Sequence, residues 1–302
     1  MKNNLKKRER FSKIEPWLYL SPFLLFIIIF TLYPVINVFL MSFKEGYSFL
    51  KGTFKSLGIA NYTYVLTDPK FHSALKNTFL YVLFVVPIST AIAIICAHLL
   101  NQKLKGSAIF QTAFFMPMVT SVTAVGLIWR LMFNQQYGII NFLLSKIGID
   151  KIGWLTESQW SLPALIIFGI WNILPFTIIL LLSGLQNIDE MYYTAAKVDG
   201  AKPAKIFFRI TVPMLSPTIF LVSIVNTISC FKVFSELYPL FNGKPGPYLN
   251  LYTLVYYIRY AMVEKRKYGY AAAAAVILFL CVMVITILEL RLQKRMKKRG
   301  LN

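Results

Sequence analysis

Six stretches of this 302-residue chain are apolar for longer than the core of a soluble domain requires. They run from about Trp17 to Phe43, Lys76 to Leu100, Ala108 to Phe133, Leu162 to Leu185, Ile210 to Leu237 and Tyr268 to Leu292. Roughly 20 mostly apolar residues suffice to cross a hydrocarbon core as a helix, and every stretch meets that length. Inside a bilayer each backbone N–H and C=O must find its partner within the protein, which leaves helices or a closed barrel; continuous runs of this length are helices. The expectation is an all-α membrane protein of six transmembrane helices, one polytopic domain over residues 17–292 between a basic segment at 1–16 and a basic tail at 293–302. Hydrophobic residues make up 57% of the chain and charged ones 15%, with a mean hydropathy of +0.60, a balance that a soluble domain of this size does not need.

The net charge of +20 is placed as a membrane protein places it, not as a nucleic-acid binder does. Lys2, Lys6, Lys7, Arg8, Arg10 and Lys13 precede the first span, and Arg291, Lys294, Arg295, Lys297, Lys298 and Arg299 follow the last. An even number of spans puts both termini on one side, and the bias of Lys and Arg toward the inner face makes that side the cytoplasm. Lys103 and Lys105 fall inside as well; Lys265, Arg266 and Lys267 fall outside and oppose the bias locally. The first apolar run follows basic residues as a signal peptide would, but it is too long, contains Pro22 and Pro34 and ends without a small-residue cleavage site, so it reads as a retained helix. Cys96, Cys230 and Cys281 lie within spans and share no metal or redox spacing.

The outer connections are the long ones. A short surface helix is expected around Pro69 to Lys76, the connection between the third and fourth spans is apolar enough to lie on the membrane or the bundle, and Gly243, Pro245, Gly246 and Pro247 force an irregular loop before the sixth span. Pro34, Pro87, Pro117 and Pro175 point to kinked spans, and the run Ala271 to Ala275 suits the close approach of a neighbouring helix.

What is missing narrows the function. No Asp or Glu lies in a span away from its ends, Glu236 and Glu289 being marginal, which weighs against an ion-coupled carrier. There is no G-x-x-x-x-G-K-[ST] phosphate loop, and the only histidines, His72 and His98, stand near no nucleophile or carboxylate cluster. An enzyme is therefore not expected, nor a metal or cofactor on this chain; energy for uphill transport would come from another subunit. For a translocation path the candidates are Asn226, Ser229 and Lys232, with Thr227 on the same helix and Lys232 in its external third. The bland alternative for Lys232, and for Arg130 near the outer end of the third span, is snorkelling to the interface. Trp129, Trp171, Phe231 and Phe234 could stack on sugar faces or simply pack.

Between the fourth and fifth spans the chain turns polar, from Tyr193 to Pro217. Glu190 to Val198 are helix formers with the small pair Ala195 and Ala196, Asp199 and Gly200 signal a turn, and Pro203 suits the first turn of a second short helix that Pro213 and Pro217 limit. Lys197, Lys202, Lys205 and Arg209 give it a wet side, and Ile206, Phe207 and Phe208 are available for packing. Composition alone reads this as a solvated basic loop.

Its wording says more. AAKVDGAKPAKIFFRITVPMLSP resembles the EAA loop of inner-membrane permease subunits of binding-protein-dependent ABC importers, matching at Ala195, Ala196, Asp199, Gly200, Ala201, Ile210, Pro213 and Pro217; Thr194 stands where that family usually has Glu. The resemblance extends over nearly the whole chain, through LSPFLLFIIIFTLYPVINVFLMSF, FFMPMVTSVTAVGLIWRLMF, YGIINFLL and FKVFSELYPLFNGKPGP, and looks like the carbohydrate-type branch related to the first maltose and glycerol-3-phosphate permease subunits. It implies the type I ABC importer permease fold with cytoplasmic N- and C-termini in the plasma (inner) membrane of a prokaryote. It also implies a coupling loop at about residues 189–217 in which Thr194, Ala195, Ala196, Asp199, Gly200, Ala201 and Pro213 meet the ATPase. The partners it implies are a second homologous permease chain, two nucleotide-binding ATPase subunits that carry the ATP and Mg, an extracellular solute-binding protein and membrane lipid, with no nucleic acid. The solute would be a sugar or oligosaccharide, or glycerol-3-phosphate or another polar solute; a membrane scaffold or export component and an ion-coupled carrier are the readings from other classes.

Overall fold

The computed structural model describes residues 2–49, 51–102 and 107–298; Lys103, Lys105 and Arg299 lie outside the described residues. Among the described residues five helices are long and apolar enough to cross a membrane, six if the bent pair Ile109–Val119 and Val122–Met132 is counted as one span. Helix α1 (Lys2–Ile27) passes through a π-helical turn at Ile28–Leu32 into α2 (Tyr33–Ser42), with Pro34 in the first turn of α2. The wider turn absorbs the ring that would otherwise strike the preceding carbonyl. A two-stranded antiparallel hairpin follows, β1 (Lys44–Glu45) against β2 (Ser56–Leu57), with Lys44 opposite Leu57 and Glu45 opposite Ser56.

The short helix of this connection is α3 (Ala60–Thr67), and Pro69 opens α4 (Pro69–Asn101), so the surface helix expected at Pro69 to Lys76 is instead the first part of the second span. Asp68 is the reason. It caps α4, accepting from the Lys70 N–H at 2.9 Å, and Pro69 sits where a helix has no need of its N–H.

The third span is not one helix. α5 (Ser107–Val119) and α6 (Val122–Met132) meet at 105°. Pro117 removes a helical donor just before the break, Thr120 turns its hydroxyl back to the Met116 carbonyl at 3.1 Å, and Ser121 is extended at ψ 130°. After α7 (Ile139–Lys146) comes α8 (Ser158–Gln186), which passes over Pro163 and Pro175 without ending.

The polar interruption forms α9 (Glu190–Val198) and α10 (Pro203–Ile206), and α10 runs through a π-helical turn at Phe207–Thr211 into α11 (Val212–Phe231). Pro213 therefore does not start a separate helix: Pro203–Phe231 is continuous, the π turn making room for the proline as it does ahead of Pro34. The far end also differs from the expected Leu237. α11 stops at Phe231, where the Lys232 and Val233 N–H groups fold back to Ser229 and Cys230 in a tight last turn, and the Phe234 N–H goes to the Glu236 carboxylate at 3.1 Å. Leu237 belongs to the short α12 (Leu237–Phe241), which precedes α13 (Leu254–Arg259) and the last span, α14 (Tyr268–Lys298).

Packing is centred on α4 and α8, which lie against each other, with α11 against both and α14 against α11, α2, α3 and α13. The Phe231 ring meets Phe79 at 5.3 Å, so α11 ends well short of the α4 N-terminus, and the chain climbs back beside it, the Leu254 N–H reaching the Thr78 hydroxyl at 3.0 Å. Ala271 to Ala274 are buried, and at Gly269 an added Cβ would stand 2.7 Å from the Asn61 amide, so small residues let α14 close on α3 and α13. The three cysteines are free thiols.

Candidate functional site

The 189–217 segment is built as a presented surface. Asp189 caps α9, accepting from the Met191 N–H at 2.9 Å, and Gly200 closes it at φ +70°. The Ala201 N–H bonds the Ala196 carbonyl at 2.9 Å and the Gly200 N–H bonds Lys197 at 3.0 Å, the paired bonds of a Schellman stop. Thr194, Ala195, Asp199 and Gly200 are exposed, Ala201 is half-buried, and Ala196 is buried beneath them. The Thr194 hydroxyl bonds the Glu190 carbonyl at 3.1 Å, so this side chain is spent within its own helix. Pro213 is half-buried in the first turn of α11 and apart from that surface.

Sequence reading missed two members. Met191 and Val198 are 65% and 83% exposed, and with Ala195 between them they stand at i, i+4 and i+7 on one face of α9. The spacing is legible in the sequence, but Lys197, Lys202 and Lys205 around it give the segment the composition of a solvated loop. The segment is fixed to the bundle by Ile206, which is buried, and by Phe207, whose ring meets His98 at the foot of α4 at 4.8 Å. Beside it a cleft of about 440 Å³ opens between that foot and the loop, lined among others by His98, Gln102, Tyr193, Lys197 and Pro203.

The path candidates separate. Asn226 is buried and donates to the Thr177 hydroxyl of α8 at 3.0 Å, an internal tie between two spans. Ser229 and Lys232 are exposed, Lys232 as the residue that caps α11 and not as a member of the helix. Thr227 donates to the Glu289 carboxylate at 2.9 Å, which makes Glu289 a link between α11 and α14. Of the aromatics, Trp129 is buried among Phe133, Phe168 and Trp171, and Phe231 is fully buried, so both pack inside the chain; Trp171 and Phe234 are half-buried. Arg130 bonds the Asn242 side chain and so joins α6 to the loop after α12. Among the described residues no group of His, Cys, Asp and Glu could hold a metal ion.

A bundle of apolar spans interrupted by an exposed, capped helix–turn–helix defines a polytopic membrane protein with a small polar surface at one end. The chain belongs to the binding-protein-dependent transport system inner membrane component family, whose model matches residues 89–298. It is similar to the arabinooligosaccharides transport system permease protein AraP of Bacillus subtilis, with 34% identity covering 96% of this chain and 91% of that protein. It is likewise similar to the lactose transport system permease protein LacF of Rhizobium radiobacter, at 35% identity over 83% of this chain and 84% of the relative. In fold it matches a chain of a bacterial ABC transporter involved in the import of the acidic polysaccharide alginate, with a TM-score of 0.82 over 96% of this chain and 99% of that one; at 23% identity the likeness speaks for the fold alone.

Proposed function

We propose that the chain is one of two permease subunits of an ATP-driven, binding-protein-dependent importer of a sugar or oligosaccharide. It forms half of the translocation path, and both of its termini lie in the cytoplasm. Family membership supports the importer class, and the names of its relatives support a saccharide as solute. Two nucleotide-binding subunits bind the ATP and Mg, a solute-binding protein delivers cargo from outside, and lipid surrounds the spans. This chain takes no cofactor of its own and no nucleic acid, and it catalyses no reaction.

The observation that carries the coupling role is the continuity of Pro203–Phe231. α9 offers the face of Met191, Ala195 and Val198 to a partner, the Gly200 turn transmits its movement to α10, and α10 is one helix with a span that ends at Lys232. A push on α9 that passes the capped Gly200 turn thereby travels along one continuous helix toward the outer end of the path. Gly200 stands in open space, so only its φ of +70° restricts what it can be replaced with. A bulky L-residue there costs about 1–2 kcal/mol and unwinds the stop. Gly200→Trp should abolish solute-stimulated ATP turnover in the reconstituted importer while the chain still inserts and co-purifies with its partners. Normal stimulation would remove the coupling role.

A further inference from the structure

α7 is held to the bundle by one face, and its other face is left open. On the open side Ile139, Phe142 and Leu143, with Ile147 just past the end of the helix, are all more than half exposed. At i, i+3, i+4 and i+8 they make a single apolar stripe. Asn141 sets the rotation of the helix. It is buried on the opposite side, where its amide donates to the Gln135 and Ile152 carbonyls at 3.1 and 2.8 Å. Its oxygen accepts from the Trp154 ring N–H at 3.0 Å and from the Ile152 N–H at 3.3 Å, so both ends of the side chain are satisfied. Ile140 and Leu144 pack on the bundle core beside it.

The same bonds fix the level of α7. Trp154 stands just ahead of Ser158, where α8 begins its crossing, so α7 lies where the fourth span enters the membrane, at the end of α8 away from α9. Lys146 stands on the open side of the helix, its ammonium 5.2 Å from the centre of the Phe142 ring. A lysine within an apolar stripe suits the boundary of acyl chains and headgroups, where hydrocarbon wraps the stem and the charge meets phosphate. Against the apolar face of another protein it would be a buried charge without a partner. Beside the stripe a cleft of about 370 Å³ is lined by Tyr137, Phe142, Ser145 and Lys151 among others, Lys151 being the one charged residue of its lining. The Lys151 ammonium makes one long contact, 3.4 Å, with the Gln136 carbonyl and has further protons to give to a phosphate oxygen. Lys146 and Lys151 against Asp150 leave residues 139–151 a net charge of +1, which matches the single phosphate that every phospholipid carries.

We propose that α7 is an interfacial anchor whose partner is the phospholipid surface of the leaflet away from α9. Ile139, Phe142, Leu143 and Ile147 lie among the upper acyl chains, and the Lys146 and Lys151 ammonium groups lie on headgroup phosphates. The connection from α6 to α8 is thereby tied to the plane of the bilayer. The proposal needs a membrane around the bundle and does not depend on what the bundle transports.

The test uses the full chain with the partners that co-purify with it, in phosphatidylglycerol nanodiscs, with p-benzoylphenylalanine in place of Phe142 or, separately, of Ile139. Both positions are exposed, so the larger ring needs no room inside the fold. Irradiation should add the mass of one phospholipid to this chain, and fragmentation should place the new bond at the glycerol or the upper acyl carbons. Lys146→Glu combined with Lys151→Glu should lower the yield of that adduct about threefold, by repelling the phosphates that hold the helix down. Capture of another protein chain, or photolysis without a lipid adduct at either position, overturns the proposal. A bond at the acyl chain ends puts α7 deep in the hydrocarbon and overturns it as well, and an adduct yield unchanged by the two charge reversals overturns the phosphate contact.

Discussion

Asn226 and Lys232 stand less than two turns apart at the end of α11, and the structure gives them different work. Asn226 is shut in with Thr177, while Lys232 is exposed and free of any ion pair among the described residues. A polar tie between spans contributes about 1 kcal/mol. Asn226→Ala should therefore lower the thermal midpoint of the detergent-solubilised chain by a few degrees and leave the solute KM of uptake unchanged. Lys232→Met should do the reverse, altering uptake without touching the midpoint. A KM shift for Asn226→Ala at parental stability would return that residue to the path, and unchanged uptake for Lys232→Met would make the lysine an interface anchor. Sequence could name both residues but not separate them. In a helix apolar on every side there is no amphipathic stripe to say which way it is rotated, and only the neighbours α8 and α14 decide that.

Elements were legible where a local signal fixes them and illegible where geometry does. The Asp199–Gly200 stop was readable because a helix that ends in a left-handed residue calls for glycine. The places of the spans were readable because hydropathy counts residues, but their ends at Pro69 and Phe231, set by the Asp68 cap and by the tight turn at Lys232, were not. Of the break between α5 and α6 Pro117 gave the place but not the size, since nothing in the hydropathy across Met116 to Ala124 distinguishes a mild kink from a turn of 105°. The continuity of α10 with α11 was not readable, because prolines read as boundaries unless a π turn makes room for them. The bend lays α6 against α12, and Gly126 is what permits the approach: a Cβ there would collide with the Pro239 ring. Gly126→Leu should cost about 1–3 kcal/mol by overpacking, seen as an earlier melting transition, and parental stability would show that the two helices part without penalty. The β1–β2 hairpin gives a prediction in pH. Glu45 accepts from the Ser56 hydroxyl at 2.6 Å and from the Ala60 N–H at 3.0 Å, and the first of these in particular holds its carboxyl below the usual carboxylate range. A depressed folded pKa contributes order above the unfolded value of roughly 4.3 and loses it as pH falls through the folded one. Protease cleavage between Lys44 and Ala60 should rise below about pH 4 in the parent and already be raised at neutral pH in Glu45→Gln. A parent insensitive to pH would show that the hairpin does not depend on this carboxylate.

For the molecule as a whole, the spans are unequally supported. In their most apolar windows Pro69–Asn101, Ser158–Gln186, Pro203–Phe231 and Tyr268–Met296 bury 28–44% of residues within the chain, whereas Glu15–Ser42 buries none. Trp17, Phe23, Phe26, Phe30 and Phe39 are all more than half exposed, and this span meets the rest through α2 on α14 and through Ser42, which bonds Tyr62 and Asn61 of α3. Helices in lipid gain little from hydrophobicity against one another, because lipid tails are as apolar as leucine, so packing against protein is what holds a span in place. A span without such packing opens at low free energy, while those of the α4, α8, α11 and α14 bundle open only with the bundle. The proposed second permease chain would supply the missing surface. Limited proteolysis of the purified chain in detergent should therefore cut first within residues 15–42 and leave a core from α4 to α14 intact, and co-purification with the second permease should suppress that early cut. If the first cuts fall within α4 or α8, or the early cut is equally fast with the partner bound, then the first span is held by something other than protein packing.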